Sequence, residues 1–176
     1  MKITYATSIN SLRQKEQALV KDGWQKIGIE TELKSYDATV FFGGTPGIVD
    51  NINHFYWDVM MYTSTFESPF PASYMKSWYS GSVERDVSQK SNSWQGRNFT
   101  RWINADYNKL YEQVAGELDA TKAKDLFVKM NDLVINNFVA IPLIERRFVS
   151  ARSKALKGPV QSPFDSETWN IGDWTK

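Results

Sequence analysis

Apolar positions recur along this chain with two different periods, and the switches between them mark out its elements. Ile3–Thr7 is a short β-prone run. Ser11 then opens a helix by the capping-box pattern, its hydroxyl placed to accept from the Gln14 backbone N–H while Gln14 reaches back. Leu12, Leu19, Val20, Trp24 and Ile27 recur every three to four residues and form one stripe, so the helix is predicted over Leu12–Ile27. Gly28 is a natural left-handed terminator. Ile29–Tyr36 alternates apolar and polar residues, as a half-buried strand does. Strand, helix and strand in this order predict a β-α-β unit with parallel strands.

Residues 37–53 contain FFGGTPG and predict a short helix followed by a turn-rich loop. Tyr56–Thr63 (YWDVMMYT) reads as a strand buried on both faces, since Asp58 is its single charge. Tyr74, Met75, Trp78 and Tyr79 suit a short amphipathic helix, and the polar residues 81–101 read as a long surface loop. Two further stripes predict helices over Tyr107–Leu118 and Thr121–Asn136, with Asp119 as the cap between them. Phe138–Ile144 (FVAIPLI) reads as a buried strand, held to an edge or bulge by Pro142. The tail from Lys154 has little periodicity and no evident partner in the chain. The expected fold is one α/β domain with a mixed sheet.

Composition narrows the chemistry. The chain has 176 residues, no Cys and one His. That excludes thiolate catalysis, Cys/His zinc sites and a pair of histidines. Lys+Arg is 21 against Asp+Glu 20, which leaves no basic excess for nucleic acid or an anionic membrane. No apolar run approaches the 18 residues of a membrane-spanning helix, and MKITYATSINSLRQ lacks the apolar core of an export signal. Aromatic residues make up 14%, enough to build an apolar ligand surface as well as a core.

Each candidate group has a plain reading beside the functional one. FFGGTPG lacks the Lys-Ser/Thr of a phosphate loop and reads as a connection. His54 is the sole imidazole base, but no nucleophile motif accompanies it, and a surface or strand-edge histidine fits as well. Arg97 and Arg101 can bind an anion or sit in ordinary ion pairs. Trp78, Trp94 and Trp102 can stack on a ligand or pack over the domain edge. Glu67, just beyond a strand in TSTFESPFP, is placed to take a ligand ammonium group or is a plain loop acid. No base, nucleophile and orienting group converge, so an enzyme is disfavoured and neither cofactor nor metal is expected.

Four stretches carry a family resemblance: WQKIGIETEL (24–33), WDVMMYTSTFESPFPASYM (57–75), GRNFTRWINADYNKLYEQV (96–114) and AIPLIERRFVSARSKALKG (140–158). In this order they resemble the C-terminal half of the family 5 extracellular solute-binding proteins, the peptide and oligopeptide receptors of ABC importers. The resemblance implies a single ligand-binding lobe over residues 1–176, with the tail 157–176 running back toward an N-terminal lobe of the same receptor. It also implies closure of the two lobes on a ligand, an ABC permease as membrane partner, and a periplasmic or extracellular location. Glu67 falls where the family has an aspartate that takes the peptide α-ammonium, and Ser64 where oligopeptide receptors often have tryptophan. Tyr62, Thr63 and Thr65 line the same strand end, and Trp94 and Asn98 lie in the loop that faces the cleft. A sugar receptor or carbohydrate-binding module is the alternative, drawn from the Trp and Asn residues of the loops.

Overall fold

The structure is a computed structural model that describes residues 1–66, 68–147 and 149–176. Its N-terminal half is the expected β-α-β unit: β1 (Lys2–Ser8), α1 (Ser11–Lys26) and β2 (Glu30–Tyr36). β1 pairs with β2 in parallel from Lys2↔Glu30 to Ser8↔Tyr36. A third strand, β3 (Val59–Met60), joins the other side of β1, also in parallel. The order is therefore β2-β1-β3. The α/β class stands, but the sheet is parallel throughout rather than mixed.

The local causes are specific. The cap of α1 is Asn10, not Ser11; its side-chain oxygen accepts the N–H groups of Leu12 and Arg13. Gly28 has φ +83°, the left-handed turn that ends the helix. The expected stripe on α1 is only partly used. Trp24 packs on Tyr5 at 5.4 Å, while Leu12 and Leu19 stay exposed. The helix instead sends Gln17 into the sheet, where its amide N–H group donates to the carbonyls of Tyr5 (2.6 Å) and Lys34 (3.2 Å). α2 (Ala38–Phe41) follows, capped by Asp37, and buries Phe41 completely.

β3 is shorter than the expected Tyr56–Thr63. Its ladder extends to Met61, whose N–H donates to Ala6, and Thr7 Oγ1 donates to the Met61 carbonyl. The second half is helical. α3 (Ala72–Met75) runs into a 3₁₀ turn over Lys76–Trp78, and α4 (Val83–Asp86) lies in the stretch expected to be plain loop. α5 (Ala105–Ala115) and α6 (Ala120–Asn136) pack as a pair, and Asp119 caps α6 as expected, accepting from Thr121 and Lys122. Met75, Trp78, Tyr107, Val114, Ala123, Met130 and Val134 form their apolar core.

Two expectations fail here. Phe138–Ile144 is not a buried strand: Phe138, Ile141, Leu143 and Ile144 are all more than half exposed, and among the described residues no strand lies beside them. The tail does find partners. Lys157 and Thr175 exchange backbone hydrogen bonds as an antiparallel bridge, and Trp174 Nε1 donates to the buried Asn170. Gly158, at φ +96°, leaves room for the Asp173 carbonyl, which would lie 2.6 Å from a Cβ.

Candidate functional site

In a parallel sheet with β-α-β connections, ligands collect outside the carboxyl ends of the strands. Here that edge is formed by Ser8, Tyr36 and Met61 and by the chain that leaves β3. Tyr62 turns inward. Its ring meets Phe99 edge-on at 5.8 Å, and burial, with Tyr74 adding to it and Arg97 opposing, pushes its hydroxyl up to about 12. It is a neutral donor at any physiological pH. Thr63, Ser64 and Thr65 are exposed and in no regular structure, and among the described residues their backbone groups make no backbone hydrogen bond. Glu67 lies outside the described residues.

Beyond this run, Phe66 packs tilted against Tyr74 with ring centroids 4.6 Å apart and begins an apolar groove of about 560 Å³. Phe70, Met75, Ala123, Phe127 and Val128 line it, with Lys124 and Glu117 at its polar margin. The groove was not foreseen, because it joins the 66–71 segment to α6 across a long stretch of sequence.

The second expected element is the loop carrying Trp94 and Asn98. It is held from inside. Asn98 has no exposed surface; its amide donates to the Trp102 carbonyl at 2.8 Å, its side-chain oxygen accepts from Thr100 at 2.8 Å, and its backbone bridges Asp86 and Ser88. Every polar group of Asn98 is spent on the loop, so it fixes the loop rather than facing a ligand. Gly96 permits the crossing, since a Cβ there would lie 2.2 Å from Val87. Asp86 anchors the start of the loop. It takes a two-pronged bond from Arg85 at 2.9 Å and the Ser82 N–H, and Arg85 leads the causes that hold its carboxyl below the usual range.

Trp94 is half-buried and stacks on His54 at 4.2 Å, with Tyr56 edge-on at 5.7 Å and the Arg101 guanidinium 5.4 Å over its ring. His54 is therefore a buried ring in an aromatic stack, not a surface group, and neither ring nitrogen has a partner among the described residues. Arg101 is no anion site either: it donates to the carbonyls of Ser88, Phe55 and His54. Burial lowers its guanidinium pKa. Trp94 and the Tyr62–Thr65 run are thus two separate clusters: Tyr62 reaches the loop through Phe99, while the rings around Trp94 are His54 and Tyr56.

Among the described residues no group of acids and histidines could hold a metal ion, and no helix is long and apolar enough to cross a membrane. No protein-family model matches the chain, and a comparison with curated proteins finds no match. Solved structures do match. AppA of Bacillus subtilis, an oligopeptide-binding protein in complex with a nonapeptide, superposes with a TM-score of 0.61 at 18% identity over 98% of this chain. NikZ of Campylobacter jejuni, in complex with Ni(L-His), gives 0.62 at 13% identity over 99%. The oligopeptide binding protein of Thermus thermophilus, complexed with a pentapeptide, gives 0.61 at 19% identity over 77%. The chain shares its fold with part of each of these proteins. It spans 31%, 33% and 22% of those three proteins, respectively.

Proposed function

We propose that this chain is a ligand-binding lobe of the substrate-binding component of an ABC importer, and that it captures peptides or similar small solutes. The observation that carries the reading is the run Thr63–Thr65 at the carboxyl edge of a parallel sheet, which makes no backbone hydrogen bond among the described residues, in a fold shared with proteins solved around a pentapeptide and a nonapeptide. Unpaired N–H and C=O groups at a strand end can bind a peptide backbone as a further strand would. The apolar groove beside Phe66 has the size and lining to take an apolar side chain of such a ligand. Tyr62, Thr63, Ser64 and Thr65 supply the polar contacts and Glu67 takes a ligand cation. No chemical step is asked of any of them.

In this reading the chain is one lobe, 1–176, of a longer receptor that works outside the cytoplasmic membrane and delivers its ligand to a permease. Calorimetry on the two-lobed receptor tests it. Short peptides should bind, and Glu67→Gln should weaken binding roughly ten- to a hundredfold, the worth of one charge-assisted hydrogen bond in a closed cleft. An unchanged dissociation constant for Glu67→Gln would remove that residue from the site and turn the ligand class toward uncharged solutes such as sugars. The lobe alone keeps about half the contacts, and half of a nanomolar binding energy leaves a dissociation constant of roughly tens of micromolar or weaker. Sub-micromolar binding by the isolated chain would contradict the two-lobe reading.

A further inference from the structure

His54 is 3% exposed, and both of its ring nitrogens are buried without a hydrogen-bond partner among the described residues. Atoms of this chain already cover them, so no further segment or lobe can reach them. A neutral imidazole in this place leaves one N–H and one lone pair idle. With a second proton it becomes a cation with two idle N–H groups away from water, a far costlier state. The surroundings give no relief. The ring stacks on Trp94 at 4.2 Å and meets Tyr56 edge-on at 5.1 Å. The titratable groups beside it are Tyr56 and Arg101, a phenol and a second cation. The Arg101 guanidinium donates to the carbonyl of His54 itself and lies 5.4 Å over Trp94, the ring best able to favour a cation.

The stack is also the joint between two segments far apart in sequence. Asn53 Nδ2 donates to the Trp94 carbonyl at 3.0 Å, and Ser88 Oγ donates to the Asn53 carbonyl at 2.8 Å. Arg101 adds its bonds to the carbonyls of His54 and Phe55. Phe55, Trp94 and Arg101 hold left-handed backbone, with φ of 40°, 61° and 58°. Strain of this kind persists only while the surrounding contacts over-determine it. We propose that this joint is an acid-sensitive latch: protonation of His54 releases the loop 88–101 from the segment 53–56. The loop carries Phe99, which meets Tyr62 at 5.8 Å, so release reaches the strand end beside the proposed site. The sign follows from the burial. An opened chain takes the proton near the ordinary histidine value, about pH 6.5. The closed joint favours the neutral ring, so its stability is complete above that value and falls as pH drops below it. The latch depends on this chain's own contacts and not on the receptor reading.

His54 is the only histidine of the 176-residue chain, so its ring C–H resonances report on one group. Nuclear magnetic resonance of the purified chain, from about pH 7.5 to about pH 5, tests the latch. The amides of Ser88, Trp94 and Asn98 are bonded within the loop. Their protection against exchange should fall about tenfold for each pH unit below the ordinary histidine value, in step with the ring resonance. Val114 and Met130, in the helical core, should keep theirs. His54→Phe keeps an aromatic ring against Trp94 and takes no proton, so its loop should stay protected across the range. A parent whose ring titrates while the loop amides stay protected would overturn the proposal. So would a parent whose loop protection is level at every pH, or an acid response in His54→Phe equal to the parent's. Equal losses at Val114 and Met130 would overturn it as well, since the whole chain would then be opening and not the joint.

Discussion

The two halves of this molecule differ in how much of their interior is polar. The helical half surrounds a continuous apolar core in which Tyr107, Val114 and Met130 are almost completely buried. The sheet half buries Tyr5, Ala6 and Phe41, but packs hydrogen-bonded polar side chains among them: Thr7, Ser8 and Gln17 lie inside it, while Leu12 and Leu19 of α1 face outward. Apolar contact is non-directional and sums over area, so the helical half tolerates small shifts. A buried polar side chain is stable only while its hydrogen bonds hold, so the sheet half depends on register. That dependence suits the end of the molecule that shapes the strand edge and the proposed site.

The largest effect should come from the helical core. Met130 has no exposed surface, and Met130→Ala leaves a cavity that the packed helices can close only in part. The expected loss is about 2–5 kcal/mol, read from chemical denaturation. A loss below about 1 kcal/mol would mean that the helical half is looser than its packing indicates, and would erase the contrast with the sheet.

Next is the loop held by Asn98. Asn98→Ala removes an amide that ties Trp102 and Thr100 together away from solvent. It should cost roughly 1–3 kcal/mol. If Asn98 only braces the loop, ligand affinity of the receptor should fall no more than its stability accounts for. A large affinity loss in a fully folded variant would return Asn98 to the binding surface.

Gln17 is the counterpart in the sheet. Its amide spans the carbonyls of Tyr5 on β1 and Lys34 on β2, one buried and one part-buried, so Gln17→Leu removes the donor they share while keeping the volume. A loss of about 1–3 kcal/mol is expected, together with faster amide exchange along β1 and β2. Gln17→Leu as stable as the parent would show that the sheet half, too, rests on apolar contact.

How far the sequence discloses this division depends on the range of the signal. α5 and α6 are legible because their stripes repeat and both helices pack against partners close in sequence. Asp119 is legible as a cap because the capping bonds reach only to Thr121 and Lys122. The cap of α1 shifts to Asn10 because its neighbour Ser11 offers the same chemistry one residue later. Phe138–Ile144 misleads because apolar content predicts burial only where a partner exists to bury it. The buried loop groups are the least legible. The internal role of Asn98 rests on short-range bonds to Thr100 and Trp102, which carry no repeating pattern. The stacking of His54 on Trp94 cannot be read from neighbours in sequence, because its contacts join 53–56 with 88–101. The aromatic groove is hidden for the same reason.

The smallest effect expected is a pH dependence at the β1–β3 junction. Asp58 accepts the Thr4 backbone N–H at 2.7 Å and the Thr4 hydroxyl at 2.8 Å, and these bonds hold its carboxyl below the usual aspartate range. The folded protein therefore prefers the ionised acid. Its contribution is complete above the unfolded value, near about pH 3.9, and is lost as pH falls through the lower folded value. The group is open to solvent, so the change is small. Thermal melts between about pH 6 and pH 2.5 should show the parent losing more stability than Asp58→Asn at the acid end. The difference should be confined to the range below about pH 4. Amide exchange at Thr4 and Met61 should quicken over the same range, with Met130 and its neighbours unchanged. Equal acid profiles for parent and variant would show that β3 is held by the Met61 ladder and Thr7 alone. A loss that reached the helical core as well would show that the two halves unfold as one unit, and the contrast between them would then be one of chemistry and not of cooperative structure.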